Sequence, residues 1–160
     1  MTSTTVEAQG RPAEVLLVED NYGDVLLARE AFLRAKFASN LAVAGDGEQA
    51  LSMLRQEDGH ADQPVPDLIV LDLNLPRMDG RAVLSAIKSD PSLRRIPVIV
   101  MTSSKADVDV RDAYALKANG YVIKPADFER LQEIVVSLAS FWFTVAVLST
   151  ARAVVATDAH

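Results

Sequence analysis

The sequence predicts an α/β fold, a doubly wound five-stranded parallel sheet with helices on both faces, and three observations predict it. Five short apolar runs, at residues 15–18, 41–44, 68–71, 98–101 and 121–123, alternate with five helix-like stretches. Strict alternation of strand and helix builds a parallel sheet through right-handed crossovers. The runs are apolar at consecutive positions, the pattern of strands buried on both faces. Four of them pass at once into polar groups: Glu19-Asp20, Asp72, Thr102 and Lys124-Pro125. Ligand sites in open parallel sheets gather outside the carboxyl ends of the strands, so these groups define one pocket.

The first helix follows Asn21, with Val25, Ala28, Phe32 and Ala35 at helical spacing. The second opens at Asp46, an N-cap with Gln49 three residues on, and buries Leu51 and Leu54. Residues 59–66 form the longest irregular loop, and Asn40 and Asp67 read as strand-edge or turn residues. The third helix starts near Asp79 and stops at Asp90-Pro91, because proline disfavours helical geometry in the residue before it. The fourth opens after Ser103-Ser104 and ends at Asn119-Gly120, a helix-stop pair. The fifth runs from about Ala126 into the low 140s. Asp46, Asp79 and Ser104 are read as caps. One domain is expected over residues 13–148, after a disordered lead of residues 1–12 and before a tail of residues 149–160.

A length of 160 residues with 49% hydrophobic content suits one such domain. Sixteen basic residues against 22 acidic ones give a net charge of -6, which argues against nucleic acid as a partner. The absence of cysteine excludes disulfides, thiol catalysis and thiolate metal sites, and His60 and His160 are too far apart in sequence to form a metal-binding pair. The start is polar, unlike a signal peptide. The apolar stretch 141–148 is far shorter than the roughly 20 residues of a membrane helix. A cytoplasmic protein with no membrane partner is expected.

Glu19, Asp20 and Asp72 would meet at the ends of neighbouring strands. Carboxylates so close repel one another, so cationic charge must sit among them. Lys124 supplies one charge, and a divalent cation with oxygen ligands, Mg²⁺ by preference, supplies the other. Asp72 is the best nucleophile, with Thr102 and Lys124 placed to hold the oxygens of a transferring phosphoryl group. The following loop, Asn74-Leu75-Pro76-Arg77-Met78-Asp79-Gly80, carries Pro76 and Gly80 to fix a tight path.

These motifs resemble the receiver domain of two-component response regulators, a flavodoxin-like fold, from Glu14 to about Trp142. The resemblance implies that Asp72 is the phosphoacceptor and that Asp20, Asp72 and the carbonyl of Asn74 bind Mg²⁺, with Glu19 acting mostly through water. It further implies that Thr102 and Lys124 bind the phosphoryl group, that Tyr121 turns inward with Thr102 as a switch, and that the Lys124–Pro125 bond is cis. Within the family, Val18-Glu19-Asp20-Asn21 with Asp24-Val25, Leu71-Asp72-Leu73-Asn74-Leu75-Pro76, and Phe141-Trp142 look like the stand-alone regulators paired with bacterial phytochromes. The partner implied is a sensor histidine kinase, of the bacteriophytochrome type. Tyr22 and Gly120 depart from that group, which often has proline and cysteine there.

In the fifth helix Phe128, Leu131, Val135, Leu138, Trp142 and Val145 form one seam, while Ile134, Val136, Phe141, Phe143, Val147 and Leu148 lie outside it. A helix end apolar on all sides must be covered on all sides. The expectation is a homodimer anchored by Phe141, Trp142, Phe143, Val147 and Leu148; the alternative is a tail folding back from Thr144 over Phe141 and Phe143. With no segment left for an output module, output is expected through protein contact or phosphorelay. A metal-dependent aspartyl-phosphate phosphatase is the enzyme alternative, but it wants a second acid two residues after the nucleophile, where Asn74 stands. A constitutive interaction domain with an unused pocket is the third reading.

Overall fold

The computed structural model describes residues 11–35 and 37–145, leaving aside the side chains of residues 144 and 145. Its strands are β1 Ala13–Val18, β2 Ser39–Ala44, β3 Leu68–Leu71, β4 Val98–Thr102 and β5 Gly120–Ile123, all parallel, in the order β2-β1-β3-β4-β5. The inner strands β1, β3 and β4 are buried on both faces, and their side chains alternate between two apolar layers. Leu16, Val18, Ile69, Leu71, Val98 and Val100 face one way, against Leu51, Leu54, Val83, Leu84 and Ile87. Val15, Leu17, Leu68, Val70, Ile99 and Met101 face the other, against Ala28, Phe32, Leu131 and Val135. Those partners belong to helices α2 (Gly47–Leu54) and α3 (Gly80–Ser89) on one side, and α1 (Tyr22–Arg34) and α5 (Phe128–Ala139) on the other. Helix α4 (Asp107–Ala115) joins the α2–α3 face through Ala113. No helix among the described residues is long and apolar enough to cross a membrane.

Caps form largely where the sequence puts them. The Asn21 side chain accepts from the Asp24 N–H at 2.9 Å, Asp46 from Gln49 at 2.8 Å, and Asp79 from Arg81 at 2.9 Å. Helix α4 differs from expectation at both ends. It begins at Asp107 with no side-chain cap bond. Ser104 is not its cap: its hydroxyl accepts a long bond from the Ala106 N–H and donates to Asp109 inside the helix. The stop comes earlier than Asn119-Gly120, at Lys117, whose φ of 75° breaks the helix without a glycine. Asn119 instead anchors the strands, its amide oxygen accepting from the Val98 N–H at 2.9 Å and from Lys88 Nζ at 3.0 Å. Gly120 is needed for close packing, since a Cβ there would lie 2.9 Å from Ile99 Cδ1.

Two further differences concern the ends of the domain. Asp67, read as a turn residue, is fully buried and accepts both guanidinium nitrogens of Arg11 at 2.7 and 2.9 Å and the Glu14 N–H at 2.8 Å. Arg11, placed by sequence in the lead, is therefore tied to the fold; residues 1–10 of that lead, and the tail 149–160, lie outside the described residues.

At the other end, α5 passes into a π-helical turn, Ser140–Val145. The widened i→i+5 turn rotates the chain less per residue, so residues four apart keep facing the core. Phe143 consequently extends the buried seam that Leu131, Val135 and Ala139 form along α5, with Leu138 and Trp142 only partly buried beside it. Phe143, expected at a dimer interface, is 2% exposed in its own core and is removed from that set. Phe141 is the exposed aromatic, at 51%.

Candidate functional site

Register brings the strand ends together. Val18 pairs with Leu71, and Leu71 with Val100, so Glu19, Asp20 and Asp72 leave the two central strands at one level. Thr102 pairs with Ile123, which sets Lys124 one residue beyond. The Asp72 backbone N–H still donates to the Val18 carbonyl at 3.0 Å, so the carboxylate hangs from the last rung of the ladder.

The side chains converge on Lys124. Its Nζ donates to Glu19 Oε1 at 2.6 Å, Asp24 Oδ2 at 2.9 Å and Asp72 Oδ2 at 3.1 Å. The other oxygens of the two buried acids accept from backbone: Glu19 Oε2 from the Asn21 N–H at 3.1 Å, and Asp72 Oδ1 from the Asn74 N–H at 3.0 Å. Thr102 is fully buried, and its hydroxyl accepts a long bond from the Asn74 amide at 3.4 Å. Asp20 is exposed at the rim.

The loop from Asn74 to Gly80 is held under Asp72 by a contact only glycine permits. A Cβ on Gly80 would stand 2.5 Å from the Asp72 carbonyl oxygen and 2.5 Å from Leu73 Cα, and the Gly80 N–H donates to the Leu73 carbonyl at 3.0 Å. Arg77 turns the loop with a φ of 63°.

Charge in this pocket is unbalanced. Burial raises the Glu19 pKa above its ordinary value, against hydrogen bonds from Lys124 and Asn21 that lower it, while the Asp72 charge pushes it further up. Burial works to lower the Lys124 pKa, but its bonds to Glu19 and Asp24 and the field of Glu19 and Asp72 outweigh it and hold the ammonium charged far above neutrality. One ammonium thus faces Glu19, Asp20, Asp24 and Asp72. One oxygen from each of Glu19, Asp20 and Asp72 lies within 4.8 Å of the others. An all-oxygen, acidic cluster with surplus negative charge fits a hard divalent cation.

Glu19, Asp20, Asp72, Asn74, Thr102 and Lys124 therefore meet as the sequence predicts. The cis Lys124–Pro125 bond does not occur: no peptide bond among the described residues is cis. The long lysine side chain reaches the acids without it. Asp24 was not placed in the pocket by sequence. The available signal was its position in the first turn of a helix that starts beside the acid pair. Tyr121 is half-buried and donates from its hydroxyl to the Ser104 carbonyl at 3.0 Å. Phe141 and Trp142 meet edge-to-face at 5.1 Å on the far end of α5, and Val147 and Leu148 lie outside the described residues.

Comparison with known proteins agrees with this geometry. A family described as the response regulator receiver domain matches residues 15–136. Response regulator Rcp1 of Synechocystis sp. is 39% identical over 140 residues, covering 88% of this chain and 95% of Rcp1. The crystal structure of the Mn(2+)-bound form of Rcp1 superposes with a TM-score of 0.81 over 87% of this chain and 100% of that one, at 39% identity. The phosphorylated cyanobacterial phytochrome response regulator RcpA superposes with a TM-score of 0.83 at 42% identity, covering 87% of this chain and 99% of RcpA. The probable methanogenesis regulatory protein FilR2 of Methanothrix harundinacea is 42% identical over 131 residues, covering 82% of this chain and 84% of FilR2.

Proposed function

This chain belongs to the response regulator receiver domain family, and from that premise we propose that it takes a phosphoryl group from a histidine kinase onto Asp72. The observation that carries the assignment is the convergence of Lys124 Nζ on Asp72 Oδ2 at 3.1 Å, beside the Glu19–Asp20–Asp72 cluster.

In the transfer an Asp72 carboxylate oxygen bonds to phosphorus as the phosphorus–nitrogen bond of the donor phosphohistidine breaks, and the imidazole leaves. Lys124 and Thr102 hold the oxygens of the moving group, and the Asn74 N–H orients the carboxylate by binding its other oxygen. Asp20, Asp72 and the Asn74 carbonyl would hold Mg²⁺ with Glu19 behind them; when bound, the ion neutralises charge on the phosphoryl oxygens. The chain is a phosphoacceptor signalling protein rather than an enzyme acting on a separate substrate: Asn74 stands where a phosphatase would carry its acid. Tyr121, which rests on the Ser104 carbonyl, would report a movement of Thr102 to the α4–β5–α5 surface. The likeness to RcpA favours a phytochrome-type photoreceptor kinase as the donor, acting in the cytoplasm.

Cation binding is coupled to protons, with a defined sign. Glu19 stands behind the ligands and strengthens the hold on the cation only when ionised, and its raised pKa means that the proton competes for it above the ordinary value of 4.5. Mg²⁺ affinity is therefore full above the raised Glu19 pKa and falls as pH drops through it, with proton release on binding in that range. Calorimetry in buffers of differing ionisation enthalpy checks this. Glu19→Gln should abolish the release, and wild-type binding without released protons would contradict it.

Self-association through the end of α5 is the assembly this reading favours, anchored by Phe141 with Trp142 behind it. Phe141→Asp should halve the molar mass by light scattering with the unfolding midpoint little changed, because the ring is half in solvent. A monomeric wild type, or a variant of unchanged mass, would end that part of the proposal.

A further inference from the structure

We propose that Asp24 is a positioning residue for Lys124: it holds one hydrogen of the ammonium in the resting site and yields it to a phosphoryl oxygen when Asp72 is modified. An ammonium has three hydrogens to donate, and Lys124 directs them at Glu19, Asp24 and Asp72. A phosphoryl oxygen beside Asp72 can be bound by Lys124 only if one of these partners lets go. Glu19 is the poor candidate, since its carboxylate side chain is 4% exposed and would be left buried without its cation. Asp72 is 7% exposed and carries the phosphoryl group itself.

Asp24 is different. Its side chain is 35% exposed, so water can replace the ammonium at small cost. It also sits in the first turn of α1, where the helix dipole stabilises a carboxylate that has lost its partner. The resting contact at 2.9 Å thus draws Lys124 toward α1, and the phosphorylated state must overcome it. An acid at this helix position also has an ordinary structural use, complementing the dipole. That use alone would affect stability and leave Lys124 indifferent.

The inference rests on the acceptor role given to Asp72, and the test separates the two. Beryllofluoride with Mg²⁺ mimics the phosphoryl group on the acceptor carboxylate, and its affinity is read by fluorine NMR. Asp24→Asn should tighten it by about fivefold, the upper end for a partly exposed ion pair, and Asp24→Glu should return it toward wild type. Asp24→Asn keeps the backbone N–H that Asn21 caps, so the helix start is preserved. In a Lys124→Met background the same substitution should have no effect, which a double-mutant cycle reads directly. Unchanged or weaker affinity in Asp24→Asn would overturn the inference. So would tightening of full size without Lys124, which would make Asp24 a source of field only. A wild type that binds no beryllofluoride would instead remove the reading of Asp72 as acceptor.

Discussion

Asp72→Asn should abolish phosphoryl uptake, from a histidine kinase or a small phosphodonor, while leaving a folded protein at least as stable as the parent without metal. Loss of uptake follows because the amide is no nucleophile. Retention of the fold follows from the contacts. The amide oxygen still accepts the Asn74 N–H, the backbone N–H still closes the ladder to Val18, and Lys124 keeps Glu19 and Asp24. Removing the charge also relieves the repulsion that helps raise the Glu19 pKa, so thermal unfolding without Mg²⁺ should shift upward or not at all. Residual uptake in this variant would show that another group accepts the phosphoryl. A large drop in stability would show that the carboxylate is needed by the fold rather than by the chemistry.

Arg11→Ala should cost about 3 kcal/mol of folding stability, the low end for breaking a buried ion pair, and lower Tm by about 6–12 °C for a domain of this size. The reason is what stays behind. Asp67 is fully buried, and without the guanidinium its carboxylate retains only the Glu14 N–H among the contacts described above. Urea unfolding checks the figure. Asp67→Asn in the same background should recover part of the loss, because an amide is far cheaper to bury unpaired than a charge. A change below about 0.5 kcal/mol, within the range of ordinary surface substitutions, would mean that the pair is not part of the folded core in solution.

The same pair shows where sequence reading stops. Strand ends were legible because each functional group stands immediately after its apolar run, so locating the strand locates the group. Glu19, Asp20, Asp72, Thr102 and Lys124 needed no knowledge of packing beyond a parallel sheet. Arg11 and Asp67 are 56 residues apart, and each alone looks like solvated loop chemistry. Only the pairing of β1 with β3 brings them together, at the amino ends of those strands. Asp24 hid for a related reason: an acid in a first helical turn already has a local explanation in the dipole. The end of α5 failed differently. A three-and-four seam assumes a regular helix, and the π turn at Ser140–Val145 changes the rotation per residue, turning Phe143 inward and leaving Phe141 outside. Helix α4 ends at Ala115, just before the left-handed Lys117, because a left-handed residue terminates a helix whatever its side chain, and lysine gives no sign of it in sequence.

The central claim is that Asp72 is the acceptor, and the most direct measurement locates the phosphoryl group itself. The wild-type protein, treated with Mg²⁺ and acetyl phosphate, is measured by intact mass, trapped with borohydride and mapped by peptide sequencing. One phosphoryl group by intact mass, and after reduction a homoserine in place of Asp72 as phosphate leaves, both absent without Mg²⁺, are the predicted result. Label at Glu19, Asp20 or Asp24, or no label at saturating donor in a folded, Mg²⁺-binding protein, would contradict it.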